Sequence, residues 1–311
     1  MTPHPFRFGI QCRASAHGAG WRALARQVED LGYSTLTIAD HFDDGFAPIP
    51  ALMAAADATT SLRVGTMVLA NDYRHPVVLA KEAATLDVLS GGRFELGLGA
   101  GWMATDYAAA GMALESPGRR VDRLEESLHI IREIFGTHPV HHDGSHYRIT
   151  DLVGHPQPLT PGGPKIVVGG GGKRVLRLAA HHADVVALNV NLGAGVMDAR
   201  AFPDGTPEAT DRKIRWVREA AGERLGDIEL QVRVHLAMIT EDRAGVIEEL
   251  APAFHLTPAE AAATPHAMVG TVPQIAEQLL AQRERWGISY LGVSGDQLDA
   301  LAPVVAQLAG T

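Results

Sequence analysis

Short runs of β-branched and apolar residues alternate with longer amphipathic patterns along the whole chain, and this alternation limits the possible folds more than any other feature. Residues 6–10, 35–39, 62–68 and 94–98 read as strands bounded by turn residues. Helical patterns follow at 21–31, 51–59, 76–89 and 119–135. Gly32 ends the first of these, and Pro76 suits a first helical turn, where its missing N–H would be unpaired anyway. The rhythm then breaks and resumes with strands at 165–168, 184–189, 228–239 and 290–293, the seventh being overlong. Helices are expected at 173–181, 208–221, 272–286 and 296–308, with extra helical segments at 242–250 and 257–263.

Strands that each lead into a helix imply a parallel sheet, because the crossover returns the chain to the same end of its neighbour. A closed (β/α)8 barrel and an open doubly wound sheet both satisfy that. No G-x-G-x-x-G follows the first strand, and the glycine clusters follow the fourth and fifth, which favours the barrel. The 311 residues suit one domain, 1–311, with insertions near 138–163 and 253–268. The first centres on an Asp143-Gly144 hairpin turn, and the second is a candidate lid.

Bulk properties exclude several classes. A hydrophobic content of 46% with 20% charged residues is that of a folded globular protein. The net charge of -9 argues against a nucleic-acid partner, which calls for a basic face. Cys12 is the only cysteine, so the chain has no internal disulfide and no cysteine-based zinc site. The first residues lack a signal-peptide pattern and no apolar run is long enough to cross a bilayer, so a cytoplasmic protein with no membrane contact is the expectation.

In a barrel the chemistry sits at the C-terminal ends of the strands. The second exit carries Asp40-His41-Phe42: His41 can move a proton near neutral pH, and Asp40 can orient a bound group or tune the histidine. An N-capping Asp beside a surface His explains the same residues. The third exit offers Asn71 and Asp72, which caps and turns explain equally well, followed by Arg74. The fourth runs from Gly97 through Gly99, Ala100 and Gly101 to Trp102. Such bare backbone admits either a flat ligand or a tight strand-to-helix packing corner. At the fifth, Gly169, Gly170, Gly171 and Gly172 precede Lys173 and Arg174 at a helix start, an arrangement suited to a phosphate. Asn189 follows the sixth strand as a two-way hydrogen-bonder, and Trp102 and Phe42 are candidate ligand walls. The histidine pairs have no metal-binding spacing, and no metal is assigned.

Jointly, residues 38–42, 74–76, 89–102, 169–172 and 269–273 resemble the bacterial luciferase-like flavin and deazaflavin oxidoreductases, with Asp40-His41-Phe42 most similar to their coenzyme F420-dependent branch. The resemblance implies a TIM barrel with insertions, often homodimeric, that binds F420 or alternatively FMN and acts on a small molecule. It implies further that Asp40 and His41 lie near the ring and that a non-prolyl cis peptide near Met67 and Val68 backs it. Gly99, Ala100 and Gly101 would flank the cofactor, Gly170, Gly171 and Gly172 would hold its phosphate, and Asn189 would add a polar contact. The sugar-phosphate-oxidising branch carries an acidic residue where Trp102 stands, and an aromatic where Asp43-Asp44-Gly45 stand. Those departures point to an apolar or unsaturated substrate. An FMN-dependent monooxygenase, a non-catalytic flavin-binding protein and a metal-dependent barrel hydrolase are the rival readings.

Overall fold

A computed structural model describes residues 4–12 and 18–311; the first three residues, part of the segment read for a targeting signal, lie outside it. The barrel strands are β1 (Arg7–Gln11), β2 (Thr35–Ile38), β3 (Arg63–Thr66), β4 (Phe94–Gly99), β5 (Lys165–Gly170), β6 (Val185–Leu188), β7 (Glu229–Arg233) and β8 (Ile288–Ser294). Each pairs in parallel with its sequence neighbours, and β1 pairs with β8, so the ring closes. The outer layer comprises α1 (Gly18–Asp30), α2 (Pro48–Ala58), α3 (Pro76–Leu89), α4 (Pro117–Ile134), α5 (Lys173–His182), α6 (Pro207–Ala221), α7 (Val272–Trp286) and α8 (Leu298–Leu308). This is the closed (β/α)8 barrel expected from the alternation.

Alternation within each strand sorts the side chains. Phe8, Ile10, Leu36, Val64, Leu96, Val168, Val186, Val232 and Leu291 face the helices in one large buried core. The intervening residues face the barrel interior. A second cluster of Val167, Val185, Ala187 and Tyr290, with Met67 against it, fills the middle of the barrel. Tyr290 is accommodated because β1 carries glycine opposite it: a Cβ on Gly9 would lie 2.8 Å from the Tyr290 ring. At the N-terminal floor, Arg7 bridges Glu95 (2.5 Å) and Glu229 (2.6 Å), and Arg63 bonds Glu95 at 2.7 Å.

The seventh unit departs from expectation. β7 stops at Arg233, and Leu236–Ile239 leaves the barrel to pair with Ala267–Gly270 in a separate parallel two-stranded sheet. The insertion therefore spans 236–270, wider than 253–268, and contains helices Arg243–Leu250 and Pro258–Ala263. Apolar alternation continues unbroken from Val232 to Ala237, so sequence pattern cannot reveal that the pairing partner changes. The first insertion forms the antiparallel hairpin Val140–Asp143 and Arg148–Leu152 around the Asp143-Gly144 turn. A short helix, Ala104–Ala109, follows β4 where none was expected.

Candidate active site

The mouth of the barrel is shaped by a bulge after β3. The Met67–Val68 peptide bond is cis, as the resemblance implies. Gln11 Nε2 donates to Met67 O (2.9 Å) from β1, and Leu69–Ala70 rejoins the sheet beside Leu98 and Gly99. The Val68 side chain settles over the glycines of the next two strands. A Cβ on Gly99 would lie 2.8 Å from Val68 Cγ2, and one on Gly169 would lie 3.3 Å from Val68 Cγ1. A Cβ on Gly171 would lie 2.6 Å from Asn189 O. Chain-on-chain contact thus accounts for Gly99 and Gly171, the packing-corner explanation, while a methyl on Gly169 would press on Val68 more lightly. Gly172 is different. Its nearest neighbour for a Cβ is Asn191 Nδ2 at 3.9 Å, and it begins α5 without a side-chain cap, leaving first-turn N–H groups open.

His41 lies at the β2 exit with its Nδ1 2.7 Å from Asp106 Oδ2. A carboxylate only accepts, so Nδ1 carries the proton; His41 Nε2 has no bond among the described residues. The Trp102 ring meets His41 edge-on at 5.9 Å between centroids. Asp40 does not tune His41. Its two oxygens are held by Arg74 (2.6 and 3.2 Å), and one also accepts from Ala70 N–H at 3.2 Å. Of the two roles open to Asp40, orienting a bound group or tuning the histidine, the second falls to Asp106, which the short helix after β4 brings to His41. Asn71 is buried, and among the described residues its Nδ2 has no partner, a donor at the bulge left unused.

Other predicted residues are occupied otherwise. Ala100 and Gly101 turn their carbonyls to Arg120 of α4, which holds the loop ahead of Trp102. Phe42 is 51% exposed, and its ring lies 4.7 Å from that of Tyr73. Asn189 Oδ1 accepts from Val190 N–H and from His235 Nε2 (both 2.8 Å), so its oxygen is already committed. Lys213 donates to Asn189 O (2.8 Å) and pairs with Asp204 (2.6 Å).

His235 was missed because it lay inside the overlong strand; its rings of contact are His266 (5.6 Å) and Phe202 (5.6 Å). His266 Nδ1 donates to Arg233 O at 2.7 Å. Burial, with lesser effects of His266 and Arg233, pushes His235 down to about 3, and burial pushes His266 down to about 4. Both are neutral near pH 7. They edge an apolar cavity walled by Phe202, Leu250, Phe254 and Leu256 under the second insertion. Burial also lowers the pKa of Arg233, partly opposed by Asp296. Among the described residues, no three His, Cys, Asp or Glu side chains gather as a metal site, and no helix is long and apolar enough to cross a membrane.

The closed parallel barrel gathers a His–Asp pair, an amide donor without a partner among the described residues and an open helix start at the C-terminal strand ends, the rim where barrel enzymes carry their chemistry. A family model described as luciferase-like monooxygenase matches residues 4–287, and the chain belongs to that family. An F420-dependent glucose-6-phosphate dehydrogenase of Nakamurella multipartita is 34% identical over 193 residues, 59% of this chain and 56% of that protein. One from Kribbella flavida is 29% identical over 248 residues, 76% of this chain and 71% of that protein. The coenzyme F420-dependent tetrahydromethanopterin reductase of Methanopyrus kandleri shares the fold at a TM-score of 0.77 and 17% identity, over 98% of both chains.

Proposed function

We propose that the protein is an F420-dependent oxidoreductase that transfers hydride between the deazaflavin and a small, apolar or unsaturated organic substrate. The observation that carries this reading is the His41–Asp106 pair at 2.7 Å, with His41 Nε2 unbonded among the described residues beside Trp102 at the barrel mouth. The residues present fit the cofactor: the unpartnered Asn71 Nδ2 is a donor suited to a ring carbonyl, and the open N-terminus of α5 at Gly172 suits a phosphate. When bound, the coenzyme supplies a ring carbon that takes up or releases hydride.

The chain's own residues handle the rest. Asp106 fixes the His41 tautomer and orientation, so Nε2 is the atom that gives or takes the proton accompanying hydride transfer. Asp40, neutralised by Arg74, holds the bulge through Ala70 N–H and so sets the floor on which the ring would rest. Trp102 presents an apolar face that excludes water and stacks a flat or apolar substrate. Named relatives that are glucose-6-phosphate dehydrogenases support the cofactor more than the substrate, since the cations Arg74, Arg120 and Lys213 near this mouth are already engaged within the protein.

Purified protein titrated separately with F420 and FMN, followed by cofactor fluorescence, tests the reading. Tight F420 binding with weak FMN binding is expected, and the reverse preference overturns it in favour of the monooxygenase. His41→Ala is expected to retain F420 and to lose about hundredfold in oxidation of reduced F420 by cyclohexenone; unchanged turnover removes His41 from the reaction.

A further inference from the structure

Strand β7 places Glu229, Gln231 and Arg233 on the inward face, because Leu230 and Val232 between them belong to the outer core. Two contacts confirm the direction. Glu229 joins Arg7 in the barrel floor, and Gln231 Nε2 reaches the Met67 sulfur at 3.8 Å in the barrel interior. Arg233, the last residue of β7, therefore stands at the mouth. Its side chain forms no hydrogen bond or ion pair among the described residues, and its Nη1 is buried without a partner. Asp296 is the carboxylate that faces it, but Asp296 is held by Ser294 and Gln297 and makes no ion pair with it. A desolvated guanidinium without an acceptor is costly unless a ligand oxygen completes it.

The surroundings narrow the ligand. Arg74 is spent on Asp40, Arg120 on backbone carbonyls and Lys213 on Asp204, and His235 and His266 carry no charge near pH 7. Among the described residues at the end of β7, Arg233 is the guanidinium left without an acceptor, and a single cation there matches a monoanion and leaves a phosphate dianion half unpaired. His235, next but one along the chain, is shared with the apolar cavity walled by Phe202, Leu250 and Phe254.

We propose that Arg233 anchors the carboxylate of an amphipathic substrate, whose apolar body extends past His235 toward Phe202, Leu250 and Phe254. This rests on the reading of the mouth as the redox site, and names the substrate class for it.

Benzoate serves as the probe, with benzamide as its uncharged counterpart and glucose 6-phosphate as the phosphate arm, each titrated calorimetrically into unloaded and F420-loaded protein. Wild type should bind benzoate at least about tenfold more tightly than benzamide, the increment expected of one charge-assisted pair. Arg233→Met should abolish that preference while leaving benzamide binding unchanged, and Arg233→Lys should keep part of it. Equal binding of benzoate and benzamide by wild type overturns the proposal, as does tighter binding of glucose 6-phosphate than benzoate. It is equally overturned if F420 displaces benzoate and Arg233→Met weakens F420 tenfold, which would assign Arg233 to the cofactor. Should Arg233→Met not fold, the wild-type preference and Arg233→Lys decide alone. A failure to bind F420 would be seen in the cofactor titration, whereas the unloaded protein still reports on Arg233.

Discussion

At the scale of single residues, the site turns on which carboxylate reaches His41. Asp40 is adjacent in sequence but is tied to Arg74, while Asp106 comes from 65 positions away to within 2.7 Å of Nδ1. An Asp–His pair of this kind fixes one imidazole nitrogen so that the other faces the reactant, and it supports the charge that appears when that nitrogen is protonated. Asp106→Asn keeps the volume but removes the charge, and its amide can turn to donate where the carboxylate accepted, favouring the wrong tautomer. Turnover is expected to fall about tenfold to hundredfold, with F420 affinity unchanged within twofold. Rescue by Asp106→Glu would set this apart from a merely structural role. If Asp106→Asn turns over like wild type, His41 acts without a carboxylate partner.

At the scale of elements, the eight strand–helix units were legible because parallel barrel strands are short, apolar and punctuated by glycine and proline. Pro76, Pro207 and the Thr271–Gln274 capping box mark helix starts that pattern alone finds. What escaped was whatever depends on pairing rather than pattern. Leu236–Ile239 continues the apolar rhythm of β7 while joining a different sheet, which hid Arg233 and His235 inside one long strand. The six-residue helix Ala104–Ala109 is too short to show a periodicity, so Asp106 had no signal as a partner for His41. The glycines were visible but ambiguous, because a ligand and a neighbouring strand ask for the same missing side chain. A paired substitution separates the two causes. Gly169→Ala would press on Val68 Cγ1 at 3.3 Å and disturb the bulge, whereas Gly172→Ala meets nothing nearer than 3.9 Å at a φ of -84° that alanine adopts freely. Gly172→Ala is therefore expected to melt within about 1 °C of wild type yet to bind F420 at least about tenfold more weakly, because its methyl stands where a phosphate would approach the N–H groups. Unaltered affinity would detach the helix start from cofactor binding.

Across the whole molecule, the barrel separates its two ends by function. The mouth holds the unpaired donors of Asn71 and Arg233, and the floor holds a compact charge network of Arg7, Arg63, Glu95 and Glu229, in which Glu95 and Glu229 each keep one oxygen unpartnered. Arg7 also lies 4.4 Å from the centre of the Tyr290 ring, so the network anchors the side chain that fills the barrel's middle. Burial alone would raise the pKa of Glu95, but Arg7 and Arg63 outweigh it and hold the carboxyl below its ordinary 4.5. A depressed carboxyl stabilises the fold above the ordinary value and ceases to do so as pH falls through its lower folded value. Glu95→Gln leaves two guanidinium groups facing a neutral amide, and removing one partner of a buried pair typically costs about 3–5 kcal/mol. For a domain of this size the melting temperature should drop by about 10 °C at pH 7. The gap between variant and wild type should narrow as the pH is lowered below 4.5, where the unfolded wild-type chain takes up the proton, and should close as Glu95 itself protonates at its lower folded value. Because the floor lies at the opposite strand ends from Gly172 and His41, F420 affinity of the folded variant should match wild type. A variant that melts normally but no longer holds the coenzyme would mean that charge at the floor shapes the mouth, and the division of the barrel into a stabilising end and a reactive end would be wrong.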